Sequence, residues 1–116
     1  MMSDEPLTRL RTICLALPEA TELETWGDPT FRVRAKIFAM TKEGDGRFSV
    51  WFKAPAGLQT ILVNSDPAHF FVPPYVGHKG WIGLRLDIEV DWAEVRELIE
   101  QSYRLTAPKR LAAQLD

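Results

Sequence analysis

Three segments of the chain place tryptophan and basic residues in alternation with apolar ones, a pattern that can bind a polyanion. Side chains of a β-strand point alternately to its two faces, so Phe48, Val50 and Phe52 share one face and Trp51 lies on the other. Indole rings stack on nucleic-acid bases, and cations neutralise phosphates. If these strands join one sheet, the face opposite its core carries Arg32, Arg34, Trp51, Lys53, Trp81 and Arg85.

The same alternation has a purely structural interpretation. Indole rings on the outer face of a sheet can pack under arginine stems as cation–π pairs, with no ligand involved. Trp26 is a further candidate for this face, but Glu22 and Glu24 would then lie there too and reduce its positive charge. At the level of the sequence both interpretations stay open.

The loop at residues 73–81 is a second candidate for binding. Two prolines stiffen it, and two glycines allow close approach of the backbone. Tyr75, His78 and Lys79 supply its polar tips. A rigid, exposed loop of this kind can act as a wing against a nucleic-acid backbone or against another protein. It lacks both the spacing and the following helix of a phosphate-binding P-loop.

Residue types that catalyse reactions or hold metals are few and scattered. His69 and His78 are the two histidines, and neither has a second ligand at a spacing such as His-x-x-x-His. The single cysteine, Cys14, excludes a cysteine-based zinc site, and its place on an apolar helical stripe favours a buried structural thiol. Ser65 and Ser102 lack the context of an activated nucleophile. We therefore predict no enzyme, no metal site and no cofactor.

Apolar residues at helical spacing predict the helices that position these candidates. Residues 7–17 carry one apolar stripe with a proline on either side, which indicates an amphipathic first helix. Asp91, with Glu94 three residues later, forms a capping box that begins the longest helix. Shorter helices are predicted after Pro55 and after Pro108.

Alternating segments bounded by turn residues predict strands at residues 21–26, 30–33, 36–41, 48–53, 70–72 and 81–86. Residues 27–29 form a predicted turn, and the Asp45-Gly46 step predicts a hairpin. The sequence leaves open whether residues 30–41 are one bent strand or two short ones. The order is roughly α-β(3)-α-β(2)-α, with a fourth strand ahead of the second helix if residues 30–41 divide. The predicted fold class is α+β: a two-layer domain with one antiparallel sheet and helices on one face.

Length and composition fit one globular domain over residues 1–116. The hydrophobic fraction is 46% and the charged fraction 26%, which gives enough apolar material for one core. The N-terminus has no basic region followed by an apolar run, and no stretch is long enough to span a bilayer, so we expect a cytoplasmic protein. The predicted core contains Leu10, Ile13, Leu17, Phe48, Val50, Phe52, Leu84, Leu86, Leu98 and Ile99.

Charge is distributed unevenly along the chain, although the net charge is only -2. Residues 32–53 contain six basic and two acidic residues, whereas residues 1–30 contain six acidic and two basic ones. Residues 87–101 hold six acids and one base. A basic middle between acidic helices can steer a polyanion to one face. The alternative is that sheet and helices simply solvate their surfaces with different charges.

Several motifs resemble the MmcQ/YjbR family of small bacterial proteins. They are Lys36-Ile37-Phe38-Ala39, Pro73-Pro74-Tyr75-Val76-Gly77, Gly80-Trp81-Ile82-Gly83, Ser102-Tyr103 and Ala107-Pro108-Lys109, and the likeness spans nearly the whole chain. The segment from Pro-Pro-Tyr to Gly-Trp is the most specific part. The resemblance implies a two-layer domain related to the secretion-chaperone-like fold, and DNA binding through a double-wing motif. Ala35 is a departure, because a glycine would be easier in a turn there.

Two functions follow as hypotheses. The first is weak DNA binding of low sequence specificity, through Arg32, Arg34, Trp51, Lys53, Tyr75, His78, Lys79, Trp81 and Arg85. The second is a protein-interaction module that binds a protein or peptide partner on the open face of the sheet. No helix is basic enough to read base edges in a major groove. We expect a monomer, because no long, uncovered apolar edge strand is visible in the sequence.

Overall fold

The computed structural model describes residues 5–43 and 46–116, and the elements below are those of the described residues. The helices are α1 (Glu5–Leu15), α2 (Leu58–Ser65), α3 (Trp92–Thr106) and α4 (Lys109–Ala112). The strands are β1 (Thr21–Thr25), β2 (Asp28–Val33), β3 (Lys36–Lys42), β4 (Ser49–Phe52), β5 (Phe70–Phe71) and β6 (Ile82–Arg85). Short 3-10 turns cover Gly77–Lys79 and Ala113–Leu115.

All six strands belong to one antiparallel sheet in the order β1-β2-β3-β4-β6-β5, which confirms the predicted α+β class. Residues 30–41 divide into two strands, so four strands rather than three precede α2. The antiparallel pairing of β3 with β4 agrees with the predicted hairpin. Residues 44 and 45 of that hairpin lie outside the described residues.

Two tight turns join β1 to β2 and β2 to β3. Trp26 and Gly27 have φ angles of 53° and 87°, and Arg34 and Ala35 have φ angles of 50° and 68°. Positive φ at both central residues suits the right-handed twist of the strands that such a turn connects. The first turn lies earlier than predicted, because β2 already begins at Asp28. Ala35 adopts the left-handed conformation that glycine would reach at lower cost.

A bulge in β3 sets the register of the sheet. Phe31 of β2 pairs with Ala39, but the next residue, Arg32, pairs with Ile37, so Phe38 has no partner on β2. A bulge lets two neighbouring residues of one strand point to the same side. Phe38 and Ala39 are accordingly both fully buried.

The Ser102 hydroxyl completes the hydrogen bonding next to this bulge. The β3–β4 pairing runs from Ala39–Phe52 to Lys42–Ser49 and stops short of Phe38 and Lys53. Ser102 Oγ donates to the Phe38 carbonyl at 2.6 Å and accepts from the Lys53 main-chain amide at 2.9 Å. A single buried side chain of α3 therefore joins the ends of two strands.

The hydrophobic core lies between the helices and one face of the sheet. Phe38 meets Tyr103 of α3 edge to face, with ring centroids 5.4 Å apart. The Tyr103 hydroxyl donates to the Pro18 carbonyl at 2.6 Å, which ties α3 to the loop after α1. All the predicted core residues are buried except Phe48, which is half-buried and packs against the core.

Other features of the helices agree with the sequence. Asp91 caps α3 as predicted, but its carboxylate accepts from the Ala93 amide at 3.0 Å rather than from Glu94, the partner that a capping box would use. Cys14 is fully buried in the core, as predicted for a structural thiol, and burial raises its thiol pKa. Within residues 5–43 and 46–116, no helix combines the length and the apolarity needed to cross a lipid bilayer.

The core predicts a large effect for truncation of Phe52 and a small one for an exposed residue. Phe52 is fully buried, so Phe52→Ala should lower the free energy of unfolding by about 3–5 kcal/mol. Leu23 on β1 is 53% exposed, so Leu23→Ala should change it by about 0.5 kcal/mol or less. Urea denaturation measures both values, and equal losses would contradict the placement of the core.

Candidate functional site

The sheet face away from the helices is called here the tryptophan face, because Trp51 lies at its centre. One residue of each strand forms a row across it, in the order Leu23, Thr30, Met40, Trp51, Gly83 and Phe71. Except at the bulge in β3, side chains two residues along each strand share this face. The row therefore serves as the reference for deciding which predicted site residues lie on the tryptophan face.

Gly83 makes room for an aromatic ring on this face. A Cβ atom at Gly83 would lie 2.3 Å from the Phe71 ring, so the ring occupies the space that any side chain would need. The Arg85 guanidinium lies 4.2 Å from the centre of the same ring. Arg85 is thus held by a cation–π contact, the structural role that the sequence left open for the basic residues.

Trp51 is packed rather than presented to solvent. Trp51 is only 8% exposed, and its indole N–H donates to Ser49 Oγ at 3.2 Å. The ammonium of Lys42 lies 5.7 Å from the ring centres of both Trp51 and Trp26. Trp81 is also only 8% exposed. The expectation that Trp51 and Trp81 offer open ring faces for stacking is therefore wrong.

Two predicted cations lie in different surroundings from each other. Arg32 is half-buried on the tryptophan face, where its guanidinium donates to the hydroxyls of Thr25 at 2.9 Å and Thr30 at 3.3 Å. Arg34 lies in the turn after β2 and forms a bidentate ion pair with Glu19, at 2.6 and 3.2 Å. The structure therefore does not bring Arg34 to the tryptophan face.

An acidic residue expected on the tryptophan face lies on the other side of the sheet. Glu22 of β1 receives three hydrogen bonds from Arg11 of α1, between 2.8 and 3.1 Å. By alternation Glu24 points to the same side as Glu22. The tryptophan face is therefore less acidic than the sequence suggested. Asp28 does lie there, with a carboxylate oxygen 4.0 Å from the Lys42 ammonium.

The loop between β5 and β6 is fixed by α2. The Gln59 side-chain amide donates to the carbonyls of Gly77 at 2.8 Å and Trp81 at 2.7 Å. A Cβ atom at Gly77 would lie 2.4 Å from Val72, so the loop packs closely there. The predicted tips Tyr75, His78 and Lys79 are all exposed, as expected of a rigid exposed loop.

Three lysines converge at the end of the sheet where β3 begins, β4 ends and β6 begins. They are Lys36, Lys53 and Lys79, called here the lysine cluster. Partial burial lowers the pKa of Lys53, and the positive charges of Lys36 and Lys79 lower it further. Within residues 5–43 and 46–116, none of the three forms an ion pair. Sequence reasoning chose Lys53 and Lys79 but missed Lys36, whose position depends on the turn before β3.

His69 bridges two loops outside the predicted site. Its Nδ1 lies 3.0 Å from the Asp66 carboxylate, and its Nε2 lies 2.8 Å from the Glu89 carbonyl. Both partners are acceptors, and only the protonated imidazolium donates from both nitrogens. Over the described ranges no group of three or more His, Cys, Asp or Glu side chains is arranged to hold a metal ion.

Fold and surface together define a class of protein: a small two-layer α+β domain, with a six-stranded antiparallel sheet and a cationic cluster at one end of it. The family model named YjbR matches residues 15–105. The chain therefore belongs to the YjbR family, which confirms the resemblance noted in its motifs.

A solved structure shares this architecture. The crystal structure of the Deinococcus radiodurans protein DR2400, which carries a domain described as DUF419, matches with a TM-score of 0.75. The match covers 85% of this chain and 76% of that one at 22% sequence identity, and at this identity it concerns the fold alone. Among curated proteins none matches the chain.

The packing of Phe71 on Gly83 predicts a destabilising effect of one methyl group. Gly83→Ala should lower the free energy of unfolding by about 1–3 kcal/mol, because the new Cβ displaces the ring. In a Phe71→Ala background the same substitution should cost much less. Chemical denaturation of the unchanged protein, the two single variants and the double variant gives the comparison. An equal cost of Gly83→Ala with and without the Phe71 ring would contradict this packing.

The bridge made by His69 predicts a pH-dependent contribution to stability. The hydrogen bond to Asp66, and then that to the Glu89 carbonyl, raises the folded-state pKa of His69. Its contribution is therefore full below the unfolded pKa of about 6.5 and is lost as pH rises through the folded pKa. His69→Gln should destabilise the protein more in mildly acidic than in alkaline buffer. A loss that does not depend on pH would argue against the doubly bonded imidazolium.

Proposed function

We propose that this protein binds DNA, weakly and with low sequence specificity, through the lysine cluster and the loop that carries Lys79. The observation that supports the proposal most directly is the cluster itself. Partial burial is the larger cause of the lowered pKa of Lys53, and repulsion by the positive charges of Lys36 and Lys79 lowers it further. A chain of phosphates would relieve this repulsion by placing negative charge between the three lysines.

The surroundings of the cluster favour a polyanion over a small anion. Lys79 stands on a turn anchored by Gln59, and Lys53 follows a strand end anchored by Ser102, so both backbones are fixed before binding. Regularly spaced phosphates can contact fixed cations at little entropic cost. The acidic segment at residues 87–101 would at the same time repel DNA from the helical side.

An exposed ring replaces the buried indoles as the candidate for stacking. Tyr75 is 88% exposed in the loop that precedes Lys79, whereas the exposed Trp26 lies beside Lys42 at the opposite end of β3 from the cluster. Base–aromatic stacking tolerates any sequence, because every base has a π-face. The helices carry no basic face for a major groove, so contacts to phosphates and rings imply low specificity.

Fluorescence anisotropy of labelled duplex DNA, titrated at several salt concentrations, tests the proposal. Three phosphate contacts predict a log–log slope of affinity against salt of roughly -3. Lys53→Gln and Lys79→Gln should each weaken binding for all sequences and reduce the slope by about one. Lys42→Gln is the matched control, since Lys42 lies at the opposite end of β3 from Lys36 and so away from the cluster, and it should change neither value.

The contribution of stacking is measured separately on single-stranded DNA. Tyr75→Ala should weaken binding by about 1–3 kcal/mol, because it removes a ring that stacks on a base. No binding at low salt, binding that ignores salt, or equal effects of Lys42→Gln and Lys79→Gln would overturn the proposal.

A protein or peptide partner is the second candidate function, and the edge of the sheet favours it. β1 is the outermost strand of the sheet, and Leu23 on it is 53% exposed. An extended peptide can add to such an edge through main-chain hydrogen bonds. Capture of one stoichiometric protein partner that survives nuclease treatment, together with failure of the DNA titration, would favour this function.

A further inference from the structure

A cavity lies between α1 and the start of α3, on the helical side of the molecule. Its volume is about 440 Å³, within the range of about 300–1,000 Å³ that is typical of small-molecule sites. The residues that line it are Arg9, Thr12, Ile13, Trp92, Ala93 and Arg96. Ile13 and Trp92 supply its apolar walls, and the two arginines supply its charge.

The charge of this cavity is positive. Neither Arg9 nor Arg96 forms an ion pair within the part of the chain that the structure describes. The Arg9 guanidinium lies 5.2 Å from the centre of the Trp92 ring, which holds it at the cavity wall. Glu5 and Glu89 do not line this cavity but an adjoining hollow of about 250 Å³, which Arg9 and Trp92 also line.

The remaining polar groups of the cavity are already committed. The Ala93 amide donates to the capping carboxylate of Asp91, so this amide is not free to bind a ligand. The Thr12 hydroxyl donates to the Thr8 carbonyl at 3.1 Å, which leaves its oxygen as an acceptor. Binding of an anion must therefore come from the two guanidinium groups, whose planar donors suit a carboxylate.

We propose that this cavity binds a small organic anion, with a carboxylate on an aromatic body. The carboxylate lies between Arg9 and Arg96, and the ring lies against Ile13 and Trp92. A fully hydrated inorganic anion would leave the apolar walls unused, and a neutral aromatic would leave the guanidinium groups unpaired. The site is on the opposite side of the sheet from the tryptophan face, so it does not depend on the proposed binding of DNA.

Titration of the full chain with 2-naphthoate, followed by heteronuclear NMR, tests this site. The Trp92 indole and Ala93 amide resonances should shift and saturate, with a dissociation constant of about 1 mM or below, as expected for a ligand of this size. 2-Naphthamide has the same ring without the charge and should bind about tenfold more weakly. Inorganic phosphate alone should shift neither resonance.

Variants separate the cavity from general attraction to a basic surface. Arg9→Gln and Arg96→Gln should each weaken binding of 2-naphthoate about tenfold, whereas Arg110→Gln on α4 should leave it unchanged. Thermal melting checks that each variant is folded. Equal affinity for the amide and the carboxylate, shifts centred on other tryptophans, or an effect of Arg110→Gln as large as that of Arg96→Gln would overturn the proposal.

Discussion

The hydroxyl of Ser102 is the contact on which the arrangement of the sheet ends depends. The bulge at Phe38 turns two neighbouring residues of β3 into the core and thereby interrupts the pairing with β4. A buried carbonyl and a buried amide without partners would each cost about 1–3 kcal/mol. One fully buried hydroxyl of α3 bonds both groups, at 2.6 and 2.9 Å, and so fixes the point at which β4 ends. The position of Lys53 follows directly from this bond.

The middle of the tryptophan face is packed, and the positive charge of the sheet lies mainly at one end. On the tryptophan face, the missing side chain of Gly83 admits the Phe71 ring, and Arg85 packs over that ring. The central indole of Trp51 is covered and hydrogen-bonded within its own strand. The middle of this face is therefore closed. Unpaired positive charge is instead concentrated at one end of the sheet, where three strands and a rigid loop bring the lysine cluster together.

Periodicity predicted the parts of the structure that depend on local pattern. The helices, the core and the antiparallel sheet all follow from the spacing of apolar residues, and the Asp91 cap follows from a residue type at a fixed place. The motifs also indicated the YjbR family, which the match over residues 15–105 confirms. Such features need no knowledge of which strands are neighbours.

The predictions that failed concern side chains whose surroundings depend on residues distant in the sequence. Alternation placed Trp51 on the correct face, but its burial depends on packing within the sheet, which a strand pattern does not contain. Alternation placed Arg34 on the open face of the sheet, whereas a turn of two residues with positive φ directs it to Glu19. Lys36 was missed for the same reason, since only the order of β3, β4 and β6 brings it close to Lys53 and Lys79.

The most direct test of this account is the titration of individual lysine side chains by NMR with isotopically labelled lysine. The account predicts that Lys53 loses its proton at lower pH than an ordinary lysine, because burial and the charges of Lys36 and Lys79 lower its pKa. In Lys79→Gln the pKa of Lys53 should rise towards its ordinary value of about 10.4. Titration of Lys53 at the ordinary lysine value, unchanged by Lys79→Gln, would contradict the convergence of the three lysines.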